Sequence, residues 1–223
     1  MTRILSLLLL VFALGGAAPA PVPFATRVAA TAEGGFVMGN PAAPVKLVEY
    51  ASLTCSHCRD FHRDASAPLK RYLATGRVSY ELRPYILNGP DLAAQVLARC
   101  DGARAYFTRA DAFFRRQDEW TAAFGRADPK AQARFEAAPA DQKLLVLAQI
   151  GGLDRFAAGL GLPAPRVRQC LTNQAAADRV VAITQSARGQ GVQGTPTFFL
   201  NGTRLDTNVW AGIEPLIKAA IGR

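Results

Sequence analysis

One stretch of the chain constrains everything around it. Val45-Lys46-Leu47-Val48-Glu49-Tyr50 is β-prone, Ser52-Leu53-Thr54 turns, and Cys55-Ser56-His57-Cys58 opens a helical pattern. In that pattern Phe61, Ala65, Leu69, Tyr72 and Leu73 recur at spacings of three and four, one face of a helix. Pro68 falls inside it and is expected to kink the helix rather than end it. Gly76 closes it, and Val78-Ser79-Tyr80-Glu81-Leu82 alternates as a second strand. Strand, helix, strand at this spacing is a βαβ unit with two cysteines at the first helix turn.

The rest of the chain divides around that unit. Residues 1–17 run from Arg3 through an apolar stretch, Ile4 to Leu14, into small residues, the layout of a secretory signal peptide. As a helix that run rises only about 16 Å, roughly half the hydrocarbon thickness, which makes an uncleaved anchor the poorer alternative. Residues 18–35 are rich in Ala, Pro, Thr and Gly without a period and read as a tether. From Asp91 to about Ala187 no strand-like run occurs. Helices are expected at Asp91–Cys100, Ala103–Arg116, Thr121–Phe124, Ala140–Ile150 and Asp154–Leu160, and at Pro165–Gln185 with a break near Thr172. Asp91, Thr121 and Asp141 are candidate N-caps. Then Gly194-Thr195-Pro196 leads into Thr197-Phe198-Phe199-Leu200, an Asn201-Gly202 hairpin turn, a returning Arg204-Leu205 strand and a last helix, Val209 to Ile221. The expected architecture is α/β. Residues 36–88 and 189–223 share a mixed sheet, and residues 89–188 form an all-helical insertion.

The formal charge of +9 is scattered rather than clustered, which argues for a solvated basic surface and against nucleic-acid binding. Four cysteines in a chain with an export signal face an oxidising compartment. Cys55 sits where unpaired helix amides and the positive helix end favour thiolate over thiol, and His57 brings an imidazole beside it. Stabilising the reduced thiolate makes the corresponding disulfide a stronger oxidant. Cys58, one turn deeper, is expected to be buried and to close the ring. A zinc half-site would need a second ligand pair, whereas Cys100 and Cys170 are single. An inert CxxC disulfide would add little loop-closure stabilisation. Glu49, on the predicted buried strand, is a candidate to pass protons to or from Cys58; the alternative is an exposed strand position. Lys46, Arg59 and His62 read as solvated face residues. Cys100 and Cys170, both in the helical block, are expected to pair, the alternative being free buried thiols. Phe113, Phe114, Trp120 and Phe124 read as packing.

Tyr50-Ala51-Ser52-Leu53-Thr54-Cys55-Ser56-His57-Cys58, the helical block, and Gly194 through Gly202 together resemble the DsbA-type thiol–disulfide oxidoreductases. The resemblance covers nearly all of the chain after the signal. It implies a thioredoxin fold with an inserted helical domain, no cofactor or metal beyond the Cys55–Cys58 pair, and a cis Pro196 facing those cysteines. It further implies an acidic residue at the place of Glu49. A bound peptide would pair with the backbone of Thr195, while an ordinary strand-start proline is the alternative for Pro196. The implied activity is oxidation of cysteine pairs in newly exported proteins in the periplasm. A membrane quinone-linked protein would reoxidise the pair, and the short tether suggests a monomer. Ser56 departs from the family's commonest member, which has proline there. An isomerase or reductase on the same fold, and a non-catalytic peptide-binding chaperone, are the competing readings.

Overall fold

The structure is a computed structural model that describes residues 23–126 and 128–222. The expected signal peptide, residues 1–17, and the first part of the tether lie outside the described residues. Among the described residues no helix is long and apolar enough to cross a membrane.

Six strands form one mixed sheet: β1 (Val28–Ala30), β2 (Phe36–Gly39), β3 (Val45–Ala51), β4 (Val78–Pro84), β5 (Thr197–Leu200) and β6 (Thr203–Arg204), in the spatial order β1-β2-β4-β3-β5-β6. β3 is the central strand, parallel to β4 and antiparallel to β5. Helix α1 (Ser56–Ala74) makes the crossover from β3 to β4. It buries Cys58, Phe61, Ala65, Leu69 and Leu73, the stripe its sequence period lays on one face. Pro68 lies inside α1 and does not end it. Gly76, at φ +71°, follows the C-cap Thr75 and returns its N–H to Leu73 O at 3.0 Å, a left-handed exit that glycine adopts without penalty.

Leu47, Glu49 and Ala51 alternate onto one face of β3 and are fully buried. The register Leu47↔Tyr80 and Glu49↔Phe198 sets Tyr80 and Phe198 on the strands either side of it. Phe198 meets Phe61 of α1 with ring centroids 4.4 Å apart, which joins the last hairpin to the first helix. Burying rings of this size stabilises by roughly 2–3 kcal/mol each. The hairpin turns at Asn201 and Gly202, both at positive φ, the conformation that Asn-Gly supplies. Helix α10 (Trp210–Ile221) follows, burying Trp210, Ile213 and Ile217.

Among the described residues eight α-helices run between β4 and β5: α2 (Gly89–Arg99), α3 (Ala103–Arg115), α4 (Gln117–Thr121), α5 (Pro129–Ala137), α6 (Lys143–Ile150), α7 (Leu153–Gly159), α8 (Ala164–Leu171) and α9 (Gln174–Gly189). Phe113, Phe114 and Trp120 are buried within this block, and the Trp120 indole donates to Phe113 O at 2.9 Å. Cys100, at the end of α2, is disulfide-bonded to Cys170 of α8.

Several details differ from the sequence expectation. Residues 28–30 are not tether: β1 pairs with β2, which extends the sheet by two antiparallel strands beyond β4. The expected helix at Thr121–Phe124 lies one turn earlier, because Gln117 is pulled into the core and Thr121 ends the helix instead of capping its start. Asp91 does not cap α2. Asn88 does, accepting from Asp91 N at 2.9 Å, and the Asp91 carboxylate turns inward. Asp141 lies in a short 3-10 turn before α6. Asn173 caps α9 and breaks the long expected helix just after Thr172. Helix α5 was not expected, since it buries no residue and leaves no apolar period.

Candidate active site

The turn from β3 into α1 presents Cys55 as the helix N-cap, in extended backbone at φ −82° and ψ 121°. Two side chains from the helical block hold that turn in place. Gln117 Nε2 of α4 donates to Leu53 O at 2.8 Å and to Cys55 O at 3.0 Å. Asp91 of α2, fully buried, accepts from Leu53 N at 2.9 Å and from Leu87 N at 3.1 Å. Burial pushes the Asp91 carboxyl up to about 7, although the hydrogen bonds it accepts oppose that shift. The helical insertion therefore fixes the loop that carries the sulfur.

The two sulfurs are electrostatic opposites. Cys55 is lowered from the usual thiol range to about 5, chiefly by the hydrogen bond that the Cys58 thiol donates to it. Thr195 and the backbone N–H groups of Cys58 and His57 assist, and burial works against them. The Thr195 hydroxyl is buried and has no hydrogen-bond partner among the described residues. In its thiol form Cys55 Sγ donates to Thr195 O at 3.3 Å. Cys58 is fully buried and pushed well above the usual thiol range by that burial, by its hydrogen bond to Cys55 and by the charge of Glu49. Both thiols are free in this structure. A thiol lowered at the helix N-cap and backed by a fully buried, protonated thiol suits thiol–disulfide exchange.

The other candidates fall as follows. The Thr195–Pro196 peptide is cis and lies against Cys55 at the start of β5. His57 is exposed, and its backbone N–H rather than its imidazole bonds the sulfur; among the described residues no side-chain hydrogen bond joins His57 to Cys55. Glu49 is fully buried. The Tyr80 hydroxyl donates to its Oε2, and among the described residues Oε1 has no partner. Lys46 is exposed, and Arg59 reaches across to Asp118 at 2.7 Å. Cys100 and Cys170 form their bond in the helical block, apart from this cluster. Among the described residues no three His, Cys, Asp or Glu side chains gather as a metal site.

His62 corrects the sequence expectation. It is not a surface residue: its side chain is 11% exposed, its Nε2 lies 3.2 Å from Glu49 Oε2, and its ring stacks on Phe114 at 3.9 Å. The signal was present, because His62 stands four residues after Cys58 on the same helix face. Tyr80, Asp91 and Gln117 were also missed, as nothing in their local sequence marks a long-range partner.

A family model described as thioredoxin matches residues 31–219. The chain belongs to the thioredoxin family. Within it the chain is DsbA-like. A crystal structure of alpha-DsbA1 from Wolbachia pipientis superposes with a TM-score of 0.66 at 26% identity, covering 83% of this chain and 90% of that one. A protein-disulfide isomerase from Novosphingobium aromaticivorans superposes with a TM-score of 0.78 at 29% identity, covering 84% and 97%. A Rickettsia prowazekii protein named "Putative protein-disulfide oxidoreductase" is 29% identical over 188 residues, 83% of this chain. A Rickettsia felis protein of the same name is 30% identical over 171 residues, 75% of this chain. The chain spans 61% and 53% of the length of those two relatives.

Proposed function

We propose that this DsbA-like chain is an exported, monomeric thiol–disulfide oxidoreductase of the periplasm that gives its Cys55–Cys58 disulfide to cysteine pairs of other exported proteins. The observation that carries the reading is the opposed pair of sulfurs, Cys55 lowered to about 5 and Cys58 pushed well above its usual range. A substrate thiolate attacks Cys55 Sγ of the oxidised protein. The Cys55–Cys58 bond breaks, Cys58 leaves with the electron pair and takes a proton, and a mixed disulfide joins the substrate to Cys55. A second substrate thiolate attacks its own sulfur in that bond. The substrate disulfide forms and Cys55 departs as a stabilised thiolate. Low basicity makes Cys55 a good leaving group, which favours this direction. The backbone at Thr195 would hold the substrate as an added strand beside the sulfur. A membrane quinone-linked protein is the proposed acceptor of the electrons.

Isomerisation on the same site is the second reading, supported by the likeness to the Novosphingobium structure titled a protein-disulfide isomerase. A reduced, unfolded substrate and a substrate with scrambled disulfides separate the two. Incubated in stoichiometric amounts, the oxidised protein will form disulfides in the reduced substrate much faster than it repairs the scrambled one. In the same assay Cys55→Ser will reduce disulfide transfer to the uncatalysed level. Cys58→Ser, given an activated substrate disulfide, will accumulate a Cys55 mixed disulfide on non-reducing gels. Disulfide transfer that survives Cys55→Ser would remove Cys55 from the chemistry, and a parent that transfers no disulfide yet binds unfolded substrate as well as Cys55→Ser does would leave a peptide-holding role.

A further inference from the structure

Between α1, α3 and the strands β2 and β4 lies a cavity of about 490 Å³. His62, Tyr80, Phe107, Lys70, Arg104 and Arg115 are among its walls, while Cys55, Thr195 and Pro196 are not. Two of those walls touch the buried acid. Tyr80 donates to Glu49 Oε2, His62 Nε2 stands 3.2 Å from the same oxygen, and Tyr80 Oη and His62 Nε2 are 3.3 Å apart. Glu49 is fully buried and does not line the cavity, so these two side chains stand between it and the open space.

The chemistry needs such a connection. When the disulfide is rebuilt, a fully buried Cys58 thiol must lose its proton while Cys55 is already joined to the oxidant at the front of the site. We propose that His62 is a positioning residue that carries this proton from Glu49 to the cavity beside α1, a route that Cys55, Thr195 and Pro196 do not line. The inference rests on the oxidoreductase reading. With oxidised glutathione as the oxidant, the Cys55 thiolate attacks one sulfur, a mixed disulfide forms, and one glutathione thiolate leaves. Cys58 then passes its proton to Glu49 and its sulfur attacks Cys55 Sγ. The Cys55–Cys58 bond forms, the mixed disulfide breaks, and the second glutathione leaves as thiolate with the bonding pair. Glu49 returns the proton through Oε2 to His62 Nε2, and the imidazolium releases one to cavity water.

Charged groups of both signs surround His62. Facing His62 are Glu49 of β3 and Tyr80 of β4, and Lys70 of its own helix lines the same cavity. From α3 come Arg104, Asp111 and Arg115, the last two paired at 2.6 Å, and the stacked Phe114. Lys70 and Arg104, which have no carboxylate partner among the described residues, line the cavity that receives the proton. Tyr80, raised well above its usual range by burial and by Glu49, keeps its proton and orients the carboxylate.

Reoxidation of the reduced protein by oxidised glutathione separates the steps, since each releases one glutathione. In His62→Gln the first release will be unchanged, the second will slow about tenfold or more, and its pH profile will flatten. Imidazole in solution, small enough for the cavity, will restore part of the second rate. A second release that is unaltered, or one that slows without response to imidazole and with an unchanged pH profile, overturns the relay. The unmodified protein gives an independent reading if H62Q does not fold. Ring closure will show a solvent deuterium effect of about twofold or more, and its absence overturns the relay equally. Failure of the oxidoreductase reading looks different, because neither protein would then release glutathione at all.

Discussion

Lowering the pH from 9 to 5 will destabilise the protein reduced at Cys55 and Cys58 relative to the protein oxidised there. The folded Cys55 thiol is lowered from 9.0 to about 5, whereas the unfolded thiol keeps its ordinary value. A depressed acid contributes stability that is complete above the unfolded value and is lost as the pH falls through the folded one. A shift of that size corresponds to about 5 kcal/mol at most. Cys55 is itself buried, with the exposed Ser56 and His57 following it in the chain. Cys58 is shifted the other way, but its raised value acts above pH 9 and leaves the window untouched. Asp91, held near 7, is present in both redox forms and largely cancels in the difference. Urea unfolding of both forms at several pH values measures the gap. A gap that stays constant across this range would mean that the fold does not stabilise the Cys55 anion.

Replacing both Cys100 and Cys170 by alanine will lower global stability by about 4 kcal/mol in the chain-entropy account of loop closure. The bond spans a sequence separation of 70, so its loss frees a long loop in the unfolded chain. It ties the end of α2 to α8, and α2 carries the Asp91 that holds Leu53. The double variant should nevertheless retain the Asp91 and Gln117 hydrogen bonds, because neither involves a cysteine side chain of the helical block. Its urea midpoint will fall sharply while the alkylation rate of Cys55 stays within about twofold of the parent, given the ordinary scatter between distant sites. A loss under about 1 kcal/mol would show that the bond adds little beyond the packing around it.

The parts of this molecule that were legible in the sequence are those with a local physical signature. The β3–α1–β4 unit shows as a change of period at Cys55, the Asn201-Gly202 hairpin as a turn with its required backbone, and most of the helices as apolar stripes with caps. The cysteine motif announced its own chemistry because a helix start acts on the thiol within a few residues. What escaped was non-local or unpatterned. β1 is short and only partly buried, and it exists because β2 offers it an edge. Helix α5 is capped by Asp128, which accepts from Lys130 N and Ala131 N, yet it has no buried face to betray it. His62 looks like any solvated histidine until the strand carrying Glu49 is laid beneath it. His57 illustrates the converse: its type suggested an imidazole acting on Cys55, whereas its amide does so, an effect that the helix start alone would produce.

The most direct measurement is the ionisation of the Cys55 thiol itself, followed by thiolate absorbance in the ultraviolet as reduced protein is titrated, with Cys55→Ser as the blank. A transition near pH 5, missing from that blank, is the result expected of a sulfur held as an anion by Cys58, Thr195 and the first amides of α1. A transition near 9, the value of an ordinary thiol, would contradict the account at its root.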